Sequence, residues 1–552
     1  MLPGVTVERD LACRAPDGTA LRADVYRPRD AGPRPALLLR LPYGKHAADS
    51  DVAFAHPAWL AAQGFVVAVQ DTRGRWSSEG TFYPFRDEAA DGCATVEWAS
   101  ALPGCDGRVV SYGFSYPGLI QLLAAARQPR GLVGVCPAFT APRAREGWAY
   151  TGGALSGFAV EWAVELALDA ARRAGDHASF GLLRRQLASG DAWDWAPGVA
   201  AAVRKYSGWL EDWCDPGGDW DVGVRYADVG VPALHTGGWW DRFARGTIEN
   251  FRGLREGAGT PAARSAQRLV MGPWRHMPWS PVPEPGPSGR DVTDLHLQWW
   301  RQLLYGEPAP LLREPVRAWV TGLGWRTYGA WPPHEGLTRW YLGSRGRAAT
   351  RFGDGTLSAC VPADGQPDVL PYDPWLAVPR AGGHGCCLAD VTPMGPACQC
   401  AAEESPTLLI YTSDPLPAPA LLVGDVTAEI WTSADAASAD VCVRLCVVGA
   451  DGCSENLLEG ISRTGAAASP RRQVIDLGPV ARRLEAGSRL RLQVCGSDHP
   501  LWGLNLTTGE SWSPWRPSFG GTATQVFYHD AAHPSALLLP IQPEESSACG
   551  LP

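Results

Sequence analysis

Between residues 34 and 139 the chain repeats one theme. A continuous apolar run of strand length gives way to a segment with helical spacing, and then another apolar run follows. "RPALLLRLPYG", "FVVAVQDTRG", "GRVVSYGFS" and "LVGVCPAFT" are the runs, while "HPAWLAAQG", "DEAADGCATVEWASAL" and "GLIQLLAAARQ" are the segments between them. Strands that are apolar on both faces need cover on both faces. A mostly parallel sheet with helices on either side supplies it. The expected fold class is therefore α/β. Ahead of this region, "VTVERDLACRAPDGTALRADVYRP" alternates about Asp17-Gly18 and reads as a hairpin.

The theme breaks at about residue 142. From there to 228 the sequence is helix-rich, aromatic and acidic, and it reads as a helical insertion without strands. The α/β pattern resumes with "VPALHTGGWWD" and "QRLVMGPW". Beyond about 311 helices nearly vanish, and short alternating segments such as "PVRAWVTG", "RWYLGS" and "GDVTAEIWTS" are separated by Gly, Pro, Asp and Ser. That is a β-sandwich or jelly-roll pattern. The expected organisation is 1–141 for the first part of the α/β core, 142–228 for the insertion, 229–310 for the second part, and 311–552 for the β-domain. The Pro- and Gly-rich stretch 279–290 reads as a loop of the first domain.

Composition narrows the classes of function. At 552 residues the chain exceeds one core. Its net charge of −9, without a lysine or arginine run, argues against nucleic-acid binding. The N-terminus lacks a basic start followed by an apolar stretch, and no run approaches 18 apolar residues, so neither signal peptide nor membrane span is expected. The 15 cysteines lack both the spacing of a disulfide framework and paired C-x2-C zinc ligands. Reduced cysteines in a cytoplasmic protein, with no metal and no cofactor, are the expectation. The 25 tryptophans belong mostly to cores.

The chemistry begins at Gly113-Phe114-Ser115-Tyr116-Pro117-Gly118. A nucleophile elbow needs a strand, a tight turn and a helix, so that the serine hydroxyl projects from the sheet. "GRVVSYGFSYPGLIQLLAAA" supplies all three, although the second glycine stands one place later than in G-x-S-x-G. An acid and a histidine should follow in that order at later strand ends. Asp241 lies just past "VPALHTGGWW", and His276 just past "QRLVMGPWR". His235 lies within an apolar strand and reads as a packed core histidine.

These segments, together with "DGTALRADVYRP", "LRLPYGK", "VVAVQDTRGRWSSEGTFYPF", "WRTYGAWPP", "YDPWLAVPRAGG" and "SDHPLWGLNLTTG", resemble the cocaine esterase and X-Pro dipeptidyl-peptidase family of CocE/NonD hydrolases. The resemblance spans nearly the whole chain. It implies an α/β-hydrolase fold with an inserted helical cap and a C-terminal β jelly-roll domain. It implies Ser115 as nucleophile, His276 as base and acid, and Asp241 as the residue orienting the imidazole. It also implies an oxyanion hole from the N–H of Tyr116 and the hydroxyl of Tyr43, the latter in Arg40-Leu41-Pro42-Tyr43. Asp71 and Arg73 are expected to pair with each other and fix their loop.

The resemblance further implies an aromatic acyl pocket containing Trp148, Trp162 and Phe243. Glu161 and Glu165, flanking Trp162, are candidates for facing a substrate ammonium, or are simply a solvated helix face. Where the family often carries Asp-Gln-Arg, this chain has Cys398-Gln399-Cys400. The expected activity is a serine hydrolase cleaving a small ester or amide through an acyl-enzyme, with homo-oligomerisation left open. Acyl transfer by the same intermediate, or a non-catalytic binding protein acting through the jelly roll, are the alternatives.

Overall fold

The computed structural model describes residues 4–29, 32–50, 55–276, 289–362, 365–378, 381–387, 394–465, 467–516 and 519–544. Most of the 279–290 stretch lies outside them. The chain divides into two compact units: Met1–Gly147 with Trp220–Trp319 and Trp325–Trp331, and Trp148–Asp219 with Val320–Gly324 and Pro332–Pro552.

The first unit is built on a ten-stranded mixed sheet. Its strands are β1 (Val5–Arg14), β2 (Ala20–Pro28), β3 (Arg34–Leu41), β4 (Val66–Asp71), β5 (Cys105–Phe114), β6 (Leu132–Ala138), β7 (Leu234–Trp240), β8 (Arg268–Arg275), β9 (Val316–Val320) and β10 (Gly324–Tyr328). Their order is β1-β2-β4-β3-β5-β6-β7-β8-β9-β10. The hairpin β1–β2 is antiparallel, and β2 joins β4 antiparallel. From β4 through β3 to β9 every neighbour is parallel. The apolar runs explain this. Leu37, Val67, Val69, Val110 and Tyr112 face one core with helix α1 (Pro57–Ala62) and Trp299 and Trp300 of the helix Gly289–Tyr305. Ala36, Leu38, Val66, Ala68 and Val109 face the other, with Val96 and Ala99 of α2 (Glu88–Ser100). Alternate residues of each strand thus serve opposite faces.

Two features differ from expectation here. The segment "PVRAWVTG", expected among the β-domain strands, contributes β9, which pairs in parallel with β8 and extends the first sheet. Period-two alternation announces a strand but not which sheet edge receives it. The insertion is not strand-free, since Tyr150–Thr151 and Ala154–Leu155 form a two-residue hairpin before the first long helix, Gly157–Arg173. The two compact units exchange at 147/148 and 219/220.

The second unit contains a twelve-stranded sheet. Ala420–Ala434 runs antiparallel to Arg471–Leu484, with a bulge at Val426/Thr427. Leu422, Val426, Ala428 and Ile430 point into one core. The helical segment has an aromatic core: Trp162 packs on Trp148, Trp209 and Trp213 with ring centroids 5.2–6.0 Å apart. Cys386 and Cys387 are bonded to each other, against the expectation of reduced thiols. Among the described residues, no helix is long and apolar enough to cross a membrane.

Candidate active site

Ser115 sits between β5 and helix α3 (Tyr116–Ala125) with φ 63° and ψ −125°. Positive φ is uncommon for a residue with a Cβ and marks a strained turn. The turn closes because neighbouring backbones approach closely. A Cβ on Gly113, whose φ is 144°, would stand 2.4 Å from Pro117 Cβ. A Cβ on Gly118 would stand 2.8 Å from the Ala138 carbonyl oxygen. The late second glycine of the motif is therefore the one that lets α3 touch the end of β6. Pro117, in the helix's first turn, costs no hydrogen bond there. The Ser115 N–H donates to Ala138 O at 2.9 Å, tying the turn to the same strand.

Register brings the other two residues to the same end of the sheet. Phe114 pairs with Ala138, and Ala138 with Thr236. Trp240 pairs with Arg275, so the next residues, Asp241 and His276, leave adjacent strands together. His276 Nε2 lies 3.0 Å from Ser115 Oγ, and His276 Nδ1 lies 2.8 Å from Asp241 Oδ1. All three side chains are buried. A carboxylate on Nδ1 favours the tautomer whose Nε2 lone pair faces the hydroxyl, and that arrangement can remove the hydroxyl's proton. His235, by contrast, is wholly buried against Gln267 at 3.0 Å, and burial lowers its pKa to about 4.

Three phenylalanines ring the imidazole: Phe243, Phe114 and Phe139, with centroids at 5.3, 5.7 and 6.4 Å. Phe243 is thus in contact with the histidine itself. Tyr116 begins α3, and its N–H is one of the first-turn donors that a helix does not use internally. Its side chain is buried elsewhere. The hydroxyl donates to Glu88 Oε1 at 2.8 Å and accepts from the Phe85 N–H at 3.1 Å. Glu88 Oε2 accepts from Arg40 Nη1 at 2.7 Å. Burial pushes the Glu88 carboxyl up, while Arg40 opposes that rise.

Tyr43 follows β3, the strand beside β5. Its loop is held from both sides: Arg75 Nε donates to Pro42 O at 2.8 Å, and the Lys45 N–H donates to Asp71 Oδ1 at 2.6 Å. Asp71 also accepts from Ser77 Oγ and Lys45 Nζ. Arg73 turns the other way, to Asp91 and Asp17. The expected Asp71–Arg73 pair is therefore absent, and Asp71 clamps the Tyr43 loop instead. Sequence reading missed this clamp and the Arg40–Glu88–Tyr116 relay, because only the fold brings residues 26 to 48 positions apart together.

The remaining expected site residues lie in the second unit. Trp148 and Trp162 are fully buried in the helical segment's aromatic core. Glu161 is buried as well, so the reading of a solvated face fails for it. Burial pushes the Glu165 carboxyl up to about 7.

Comparison with known proteins agrees with this architecture. Residues 17–278 match the X-Pro dipeptidyl-peptidase (S15 family) domain, and residues 312–538 match the X-Pro dipeptidyl-peptidase C-terminal non-catalytic domain. The chain is 31% identical over 570 residues to cocaine esterase of Rhodococcus sp. (strain MB1 Bresler), covering 95% of this chain and 96% of that one. An aminopeptidase from the marine sediment archaeon Thaumarchaeota archaeon has the same fold, with a TM-score of 0.76 at 20% identity over 97% and 96% of the two chains. So does an alpha-amino acid ester hydrolase, with a TM-score of 0.72 at 20% identity over 98% and 97%. The alternative of a non-catalytic binding protein is set aside on these grounds. The chain belongs to the S15 family of CocE/NonD α/β-hydrolases and is a serine hydrolase.

Proposed function

We propose that the protein hydrolyses esters of small acyl groups, and related amides more slowly, through an acyl-enzyme on Ser115. The observation that carries this reading is His276 bridging Ser115 and Asp241 at 3.0 and 2.8 Å. His276 takes the Ser115 proton as Oγ attacks the carbonyl carbon, while Asp241 stabilises the imidazolium. The imidazole then gives the proton to the leaving alcohol or amine. Water repeats the sequence and releases the acid. The Tyr116 N–H and the Tyr43 hydroxyl receive the charge developing on the carbonyl oxygen. Phe243 forms an apolar wall beside the imidazole. The preference for an ester rests on the 31% identity to a cocaine esterase over 95% of this chain.

The test is turnover of a p-nitrophenyl ester by Ser115→Ala, expected to fall by roughly 10⁴–10⁶ with the fold intact. A fluorophosphonate should add once to the wild type, at Ser115, and not to the variant. Wild-type turnover by the alanine variant would sink the assignment.

A further inference from the structure

The β1–β2 hairpin carries a bulge. Its register shifts between Glu8 and Leu11, and Asp10 sits in the bulge with φ 55°. Among residues with a Cβ, Asp and Asn tolerate that conformation best. Asp24, buried on β2, shapes the bulge: its carboxylate accepts from the Asp10 N–H at 2.9 Å and from Arg9 Nη1. The Asp10 carboxylate in turn accepts from Lys45 Nζ at 2.7 Å. Lys45 lies just past β3, which two other strands, β2 and β4, separate from β1. A bulge that re-aims a side chain is a common device beside active sites.

Lys45 is fully buried. Besides Asp10, its ammonium donates to Ser77 Oγ at 2.6 Å and to Asp71 Oδ2 at 3.3 Å, and Asp24 Oδ1 stands 3.9 Å away. Its N–H donates to the other Asp71 oxygen at 2.6 Å. Lys45 is thus gripped at its backbone and at the tip of its side chain. On the other side of Tyr43, the Pro42 carbonyl oxygen is held by Arg75 Nε at 2.8 Å. The chain is therefore pinned on both sides of Tyr43. Asp71, Ser77 and Arg75 belong to the end of β4 and the loop after it, and Asp10 adds a hold from the hairpin. The Lys45 ammonium keeps the Asp10 carboxyl below its usual range, so Asp10 is an anion at neutral pH.

We propose that Asp10 is a positioning residue for the hydrolysis: through Lys45 it fixes the backbone from which the Tyr43 hydroxyl meets the developing oxyanion. The inference rests on the proposed role of Tyr43. An oxyanion donor works only within about 2.7–3.1 Å of the place the charged oxygen will occupy. A misplacement of about 1 Å can cost about 10² in rate. The Asp10 side chain is exposed, so replacing it opens no cavity, and Lys45 keeps Asp71 and Ser77 as partners. The loop then relaxes rather than unfolds, and the loss is smaller than that of the hydroxyl itself.

Ester kinetics of Asp10→Gly, Asp10→Asn, Tyr43→Phe and the Asp10→Gly/Tyr43→Phe double variant test this in the full-length protein, with thermal melts giving the folded fraction. Glycine accepts the positive φ and removes the carboxylate, whereas asparagine accepts it and keeps an oxygen for Lys45. Asp10→Gly is expected to lower the kcat of the folded protein about tenfold with KM within about twofold, and Asp10→Asn to recover most of that loss. In the Tyr43→Phe background Asp10→Gly should cost less than about twofold, because the hydroxyl it positions is gone. Wild-type kcat in Asp10→Gly, or the same tenfold factor in both backgrounds while Tyr43→Phe alone is slow, overturns this proposal and leaves the oxyanion role of Tyr43 standing. Wild-type kcat in Tyr43→Phe overturns that role and this inference with it.

Discussion

The hydroxyl of Tyr116 donates to Glu88 at 2.8 Å, and the same carboxylate accepts from Arg40 at 2.7 Å. Tyr116 follows the proposed nucleophile, and Arg40 lies three residues before Tyr43. One buried carboxylate therefore steadies the chain on both sides of the proposed oxyanion hole. Tyr116→Phe removes one charged hydrogen bond and should cost about 1.5–3 kcal/mol. Glu88→Gln leaves Arg40 buried without its counter-charge and should cost about 3–5 kcal/mol. Urea unfolding checks both values. Ester kinetics should show kcat falling more than KM changes, whereas a purely structural role would leave the kcat of the folded fraction untouched.

Tyr43→Phe removes the proposed side-chain donor while keeping the ring. The expected loss is about 10²–10³ in kcat, with KM nearly unchanged. A variant with wild-type kcat would return Tyr43 to a packing role.

Gly118→Ala places a methyl group against Ala138 O and Thr140. Helix α3 must then withdraw from β6, at a cost of about 1–3 kcal/mol. Because Ser115 caps that helix, fluorophosphonate labelling of Ser115 should slow along with the loss of stability seen in thermal melts.

Glu165 gives a pH signature. Its folded carboxyl holds a proton up to about pH 7, whereas the unfolded chain releases it near the ordinary 4.5. Between those values the unfolded chain binds fewer protons, so this residue's contribution to stability falls as pH rises and levels off above about 7. Glu165→Gln should match the wild type below pH 4 and exceed it above pH 7, by about 3 kcal/mol at most. Urea midpoints at pH 4 and pH 8 decide this. Equal differences at both would contradict it.

Much of this arrangement is legible in the sequence where local pattern determines it. The parallel core follows from runs that are apolar on both faces, and the order Ser115, Asp241, His276 follows from residues placed just past strand ends. What escapes local reading is partnership at a distance. "PVRAWVTG" alternates like any edge strand, and nothing in it says that β8 is its neighbour. Asp71 and Arg73 lie two residues apart, yet they diverge to Lys45 and Asp91, which are set by the packing of β3 and α2. Trp148 and Trp162 carry no local sign of the aromatic packing that Trp162 makes with Trp148, Trp209 and Trp213.

The placement of β9 has a practical side. The polypeptide leaves the first unit at 147, re-enters at 220, and still supplies strand Val316–Val320 to the sheet after the helix Gly289–Tyr305. A gene fragment ending near 311 would strip β8, the strand leading to His276, of a neighbour and offer its open edge to other chains. A fragment meant to keep that sheet whole must therefore run past Tyr328, to about Trp331.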